Sequence, residues 1–126
     1  RAHRDYGLTG IRGEAAAGFP SIETPLLALC SLPEAELDAR RLLEALFEIM
    51  SELDDTTLVR RGGIEALQSV KRSARDLLKS GALRQASWRD VLHTVDREFV
   101  ARRLSPGGAA DCLSVMLFLI WLAREQ

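Results

Sequence analysis

The chain is poor in the residues that most often declare a function. It has two cysteines and two histidines in 126 residues. Cys30 and Cys112 belong to no Cys-x-x-Cys pair, which excludes a thioredoxin-type motif and a zinc ribbon. Both lie in apolar helical contexts and read as buried free thiols of a reducing, cytoplasmic protein. His3 and His93 have no metal-ligand spacing and complete no Ser-His-Asp set. His93, beside Leu92, reads as a surface or boundary residue.

Alternation of β-branched or aromatic residues with polar ones is missing, so no strand is expected. A basic excess is missing too: 17 Lys and Arg face 18 Asp and Glu. That balance removes the electrostatic footprint of a nucleic-acid or anionic-membrane binder. No run is long enough to span a bilayer, which takes about 20 apolar residues. The most apolar stretch, Leu113–Ala123, is broken by Ser114 and reads as a helix buried on most sides. Arg1–Asp5 is charged and leads into glycine-rich sequence, so no signal peptide is expected. The first residue is not Met, which raises the expectation of a piece of something longer.

What is present is helical. At 47% hydrophobic and 28% charged, the chain has the composition of one soluble globular domain. Ser31-Leu32-Pro33-Glu34 has capping-box spacing with proline in the first turn, which predicts a helix over about 33–53. Leu42, Leu43, Leu46, Ile49, Met50 and Leu53 form its apolar face. A second helix is expected to open near Gly62-Gly63 and stop at Gly81, with Ile64, Leu67, Val70, Ala74, Leu77 and Leu78 as its stripe. A third starts at Ser87, with Asp90 three residues on, and turns Trp88, Val91, Leu92, Val95 and Phe99 inward. A fourth runs from Pro106 to about Arg124, and a weaker one covers Ile22–Leu29. The expected fold is an all-α bundle of about four to six helices over residues 1–126, either one domain or part of a larger all-helical one.

Three segments are not explained by helix packing alone: 10–19, 54–63 and 104–111. In the last, Ser105-Pro106 is already a sound helix start. Gly107 and Gly108 add nothing to it, and glycine within a helix costs about 1 kcal/mol relative to alanine. They do bare a helix N-terminus, whose free N–H groups can receive a phosphate. Asp111 follows one turn later, either as an ordinary dipole-stabilised acid or as a group that meets a phosphate through a metal or water. In 54–63, Asp54 and Asp55 are hard oxygen donors of the kind Mg²⁺ uses beside a polyphosphate. Arg60 and Arg61 precede Gly62-Gly63 and fork onto phosphate oxygens. The alternative is an acidic loop followed by a basic turn, both solvated. In 10–19, Arg12 and Glu14 sit among small residues that permit close packing of a helix or a flat ligand. Glu14 is a candidate metal ligand or general base, or a partner for a neighbouring cation.

Taken together, "GIRGEAAAGF", "DTTLVRRGG" and "LSPGGAADCL" resemble the triphosphoribosyl-dephospho-coenzyme A synthases in sequence, order and approximate spacing. The resemblance covers nearly the whole chain, and the Leu-Ser-Pro-Gly-Gly-x-Ala-Asp block is its most specific part. It implies an all-helical transferase that uses ATP and dephospho-coenzyme A, with Mg²⁺ as the expected metal. The 2′-hydroxyl of the dephospho-coenzyme A ribose attacks the anomeric carbon of ATP; adenine leaves and the triphosphate stays. The product is the prosthetic-group precursor for the acyl carrier subunit of citrate lyase or malonate decarboxylase.

By this resemblance Arg12, Arg61, Gly62, Gly63, Ser105, Gly107 and Gly108 belong to the nucleotide site. Asp55, Asp111 and Glu14 are the catalytic candidates, and Asp54, Asp55 and Asp111 the metal candidates. The competing expectation is a non-catalytic helical fragment that binds a partner chain or a phosphorylated ligand. Two departures stand out. The family's middle motif reads Asp-Thr-Asn where this chain has Asp55-Thr56-Thr57. The family's chains are also longer, and their Pro-Lys-Pro-Gly stretch is not among these residues. The chain therefore reads as the C-terminal part of such an enzyme, from truncation, proteolysis or a split protein. It is expected to expose an apolar face where a missing N-terminal half or a second copy packs.

Overall fold

The computed structural model describes residues 14–105 and 107–125. His3, Pro106 and residues 10–13 of the first motif, Arg12 among them, therefore lie outside the described residues. The described residues form no strand and five α-helices: α1 (Glu23–Cys30), α2 (Ala39–Glu52), α3 (Thr56–Ser80), α4 (Trp88–Ala101) and α5 (Gly107–Glu125). Residues 14–16 are helical as well, and short 3₁₀ turns cover Pro20–Ile22, Glu34–Glu36 and Ala82–Arg84. The all-α expectation holds.

The core is the α2–α3 hairpin with α5 laid across α2. Ile49 of α2, Val70 of α3, and Cys112 and Met116 of α5 are completely buried. From α2, Ala45, Phe47, Met50 and Leu53 join them. The expected residues Leu42 and Leu46 pack only at the edge of this cluster. Leu67, Val70 and Ala74 line the inner face of α3, and Gly81 ends the helix in the left-handed conformation (φ 72°). That stop is the one the sequence predicts.

Two helix starts differ from expectation. Helix α2 begins at Ala39, not Pro33, because Asp38 caps it by accepting from the Arg41 N–H at 3.0 Å. Ser31 closes the preceding helix instead, donating its hydroxyl to the Ala28 carbonyl at 2.8 Å. Pro33 is extended and Glu34–Glu36 makes a single 3₁₀ turn, so the capping-box pattern starts no α-helix. Helix α3 begins at Thr56, six residues before Gly62, yet it breaks at Gly63 (φ 76°, ψ −178°). That backbone conformation is accessible essentially only to glycine. The glycine pair thus opens the second, longer section of the helix, as its sequence suggests.

Two burial expectations are overturned. No residue of α4 is fully buried; Leu92, Val95 and Phe99 only abut the core, and Trp88 and Val91 are half-exposed. Among the described elements α4 packs chiefly on the 82–84 turn, which is too small to cover its stripe. Helix α5 is not buried on most sides. Ala109, Cys112, Met116 and Ile120 face the core, while Leu117, Phe118, Leu119, Trp121 and Leu122 are exposed. The expected uncovered apolar face is therefore present. By length and composition Gly107–Arg124 would suffice to cross a membrane (mean hydropathy 1.4), a wider window than the Leu113–Ala123 run.

Candidate active site

Asp55 joins two helix starts. It is the N-cap of α3, and its Oδ1 accepts the Thr57 N–H at 2.9 Å. Its Oδ2 accepts the N–H of Gly108, in the first turn of α5, at 3.0 Å. Only 4% of the residue is exposed. A carboxylate in this position faces the positive ends of two helix dipoles and satisfies two otherwise unpaired N–H groups. The 54–63 and 104–111 segments, 53 residues apart at this contact, meet here.

This contact explains one of the two glycines. A Cβ on Gly108 would lie 3.0–3.1 Å from the carboxylate atoms of Asp55, so a side chain does not fit. The Gly108 N–H is therefore spent on Asp55 and is not offered to a phosphate, which corrects that part of the sequence reading. Gly107 is different. A Cβ there meets only the Thr57 hydroxyl, at 3.9 Å, an ordinary contact. Nothing in the packing of the described residues requires glycine at 107. Thr57, where the family motif has asparagine, thus stands beside the start of α5. Gly62 is needed for packing: its Cβ would come within 2.5 Å of the Ala66 Cβ and 3.4 Å of Leu104.

The first motif reaches the same place through Glu14. Glu14 is buried and its Oε1 accepts the Ser21 N–H. Its carbonyl accepts from Phe19 at 2.7 Å, closing a turn in which Gly18 and Phe19 have positive φ. Cys112 lies on the buried face of α5. Burial first, then the charges of Glu14, Asp111 and Asp55, push its thiol up to about 12. The Pro20–Ile22 turn, whose Ser21 N–H Glu14 accepts, packs on α5. The thiol stays protonated at neutral pH, so it serves as a packing group and not as a nucleophile.

Cys30, expected to be buried, is exposed. Iodoacetamide at pH 8 is accordingly expected to label Cys30 and spare Cys112 in the folded chain, with both labelled in urea. Peptide mass spectrometry reads the difference; equal labelling without urea would contradict the packing of Cys112. The same shift predicts alkaline sensitivity. Between the unfolded value of 9.0 and about 12 the unfolded chain releases a proton that the folded chain keeps, so stability falls as pH rises through that window.

The remaining candidates are scattered more widely. Asp54 is paired with Lys71 and half-exposed. Arg60, Arg61, Ser105 and Asp111 are exposed, and Gly107 is partly so. Asp54, Asp55 and Asp111 do not gather into a metal-holding group: no set of three such side chains does so among the described residues. Asp54 is turned to its lysine, and both Asp55 oxygens already accept backbone N–H groups. These residues do not fit a dedicated Mg²⁺ cage.

Sequence reasoning did not find the cleft beside Glu14. It encloses about 610 Å³ and is lined by Glu14, Ser21, Thr24, Glu48, Ser51 and Glu52. Burial, with the nearby charge of Glu44, raises the Glu48 carboxyl above its usual range. Glu48 lies on the helix that leads into Asp54-Asp55 but in none of the three motifs, and only its partial burial on α2 could have marked it. Asp55 did leave a readable signal, an Asp directly before Thr56-Thr57 at a helix start.

The fold and this site define an all-α protein whose candidate active site lies where two glycine-bearing helix starts and a third, glutamate-bearing segment converge. The chain belongs to the CitG family, ATP:dephospho-CoA triphosphoribosyl transferase, whose model matches residues 1–126. It is 40% identical over 116 residues to a probable 2-(5''-triphosphoribosyl)-3'-dephosphocoenzyme-A synthase of Salmonella gallinarum, covering 90% of this chain and 38% of the relative. The Klebsiella pneumoniae synthase is also 40% identical, with the same coverage. A probable synthase of Acinetobacter calcoaceticus is 37% identical over 99% of this chain and 44% of its own length. The chain thus spans well under half the length of these relatives. No solved structure matches it.

Proposed function

We propose that this chain is the part of a cytoplasmic triphosphoribosyl-dephospho-coenzyme A synthase that carries its nucleotide-binding helix starts. The observation behind the reading is the buried hydrogen bond by which Asp55 joins the helix starts of two family segments, at Thr57 and at Gly108. The substrates are ATP and dephospho-coenzyme A. The reaction forms a bond between the 2′-oxygen of dephospho-coenzyme A and the anomeric carbon of ATP as the bond to adenine breaks.

The chain's own groups suit that chemistry. Gly107 leaves the first turn of α5 open to a triphosphate, and Arg61 supplies charge-assisted donors from the first section of α3. Arg12 is assigned here only by the motif it shares with Glu14. Asp111, exposed one turn into α5, and Glu14 provide negative charge for the positive ribose that forms as adenine departs. One of them takes the proton of the attacking hydroxyl. Asp55 holds the two helix starts in register and is a positioning residue, its oxygens being occupied. Because the donors do not form a cage, Mg²⁺ enters with the triphosphate and no step is assigned to it.

The alternative, a non-catalytic helical fragment, is disfavoured by relatives that are named as synthases. Adenine release from ATP decides between them. Adenine formation that depends on dephospho-coenzyme A, in the complete polypeptide bearing this segment, is the expected result. Phosphate release without adenine would indicate a nucleotide hydrolase, and no turnover would leave a binding domain.

A further inference from the structure

The outer face of α5 is the largest unexplained feature of the molecule. Phe118 and Trp121 are each 56% exposed, and their rings stack at 6.1 Å between centroids. Leu117 and Leu122 extend the same stripe. From Gly107 to Ala123 the only charged residue is Asp111, so the stripe has no solvated rim of its own. A contiguous aromatic and aliphatic patch of this kind marks a contact surface. It is not a frayed end: Arg124 donates to the Leu32 carbonyl at 2.7 Å and pins the helix terminus.

We propose that this face seats the remaining part of the full-length family polypeptide, packed on α5 within the same molecule. Relatives of which this chain covers 38–44% carry more than half of their residues outside the segment described here. A tethered segment acts at an effective concentration of the order of millimolar, which a second copy in dilute solution does not match. A bilayer is a poor occupant for another reason. Cys112, Met116 and Ile120 bind the opposite face of α5 into the core, so insertion would require the core to open. The helix that carries the stripe also carries Gly107, Gly108 and Asp111 at its first turns. Covering the stripe therefore steadies the helix start at which the proposed triphosphate site lies.

The inference rests on family membership, not on the proposed reaction, and its test needs no turnover. Hydroxyl-radical footprinting of the full-length gene product, read by peptide mass spectrometry, follows oxidation of Phe118 and Trp121 directly. The expected result is oxidation, corrected for each side chain's intrinsic reactivity, several-fold slower than at exposed Val100, unchanged on dilution of the protein. Protection that disappears on dilution would replace the tethered segment by a second copy. Protection that appears only with phosphatidylglycerol vesicles would assign the face to lipid. Corrected oxidation as fast as at Val100 under all three conditions would show the face uncovered. Each of these three outcomes overturns the proposal. Introducing Phe118→Ser with Trp121→Ser into the same polypeptide is expected to lower its Tm, and an unchanged Tm would contradict a packed interface.

Discussion

Replacing Asp55 by alanine is expected to remove about 2–4 kcal/mol of folding stability. Loss of a helix N-cap alone costs about 1 kcal/mol. The second contribution comes from the Gly108 N–H, which would be left unpaired in a buried site, at about 1–3 kcal/mol. The two add because the carboxylate serves Thr57 with one oxygen and Gly108 with the other. Against a typical total of about 5–15 kcal/mol the loss is large. Asp55→Asn is expected to fall between wild type and alanine: its carbonyl can still cap α3, but its amide meets the Gly108 N–H donor to donor.

The neighbouring carboxylate provides the contrast. Asp54 is half-exposed and pairs with Lys71 at the surface. Asp54→Ala is therefore expected to cost under about 1 kcal/mol. Urea titration of the three variants measures all of this. Equal effects of Asp54→Ala and Asp55→Ala would show that the tie between α3 and α5 is not what holds this region.

That contrast also shows how far the sequence could be read. "LDDTT" announces a helix start, and adjacent acids before a basic turn invite a metal reading. Which acid is buried is a tertiary fact. It is set by the arrival of Gly108 from 53 residues further on, and no local pattern carries it. The helices themselves were legible because their apolar stripes recur with the helical period. Their starts were less so, since Ser31 and Asp38 both offer capping chemistry and only the chain's path decides between them. Helix α5 misled for a different reason. A helix that is apolar all round reads as one surrounded by protein. The described residues surround only the Ala109, Cys112, Met116 and Ile120 face. The cleft by Glu14 was invisible because its other walls come from α1, the turn before it and the end of α2, which share no motif.

The glycine pair at the start of α5 yields the sharpest separation of structure from function. Gly108→Ala places a methyl group 3.0–3.1 Å from a buried carboxylate that is itself held by Thr57. To accommodate it the carboxylate must give by a few tenths of an ångström, which lengthens the hydrogen bonds that tie the two helix starts. Overpacking of this kind costs about 1–3 kcal/mol. The variant is expected to lose about 1–3 kcal/mol of stability and to lose activity with it.

Gly107→Ala has no such cost, because its methyl group would meet only the Thr57 hydroxyl, at 3.9 Å. Alanine also favours a helix by about 1 kcal/mol over glycine. The unfolding midpoint is accordingly expected to stay the same or to rise. If the first turn of α5 receives the triphosphate, the added methyl group stands where phosphate oxygens approach, and KM for ATP rises at least about tenfold, the equivalent of 1.4 kcal/mol. A stable Gly107→Ala protein with unaltered ATP kinetics would remove the triphosphate from this helix start. A stable protein with weakened ATP binding would give the second glycine a reason that packing does not supply.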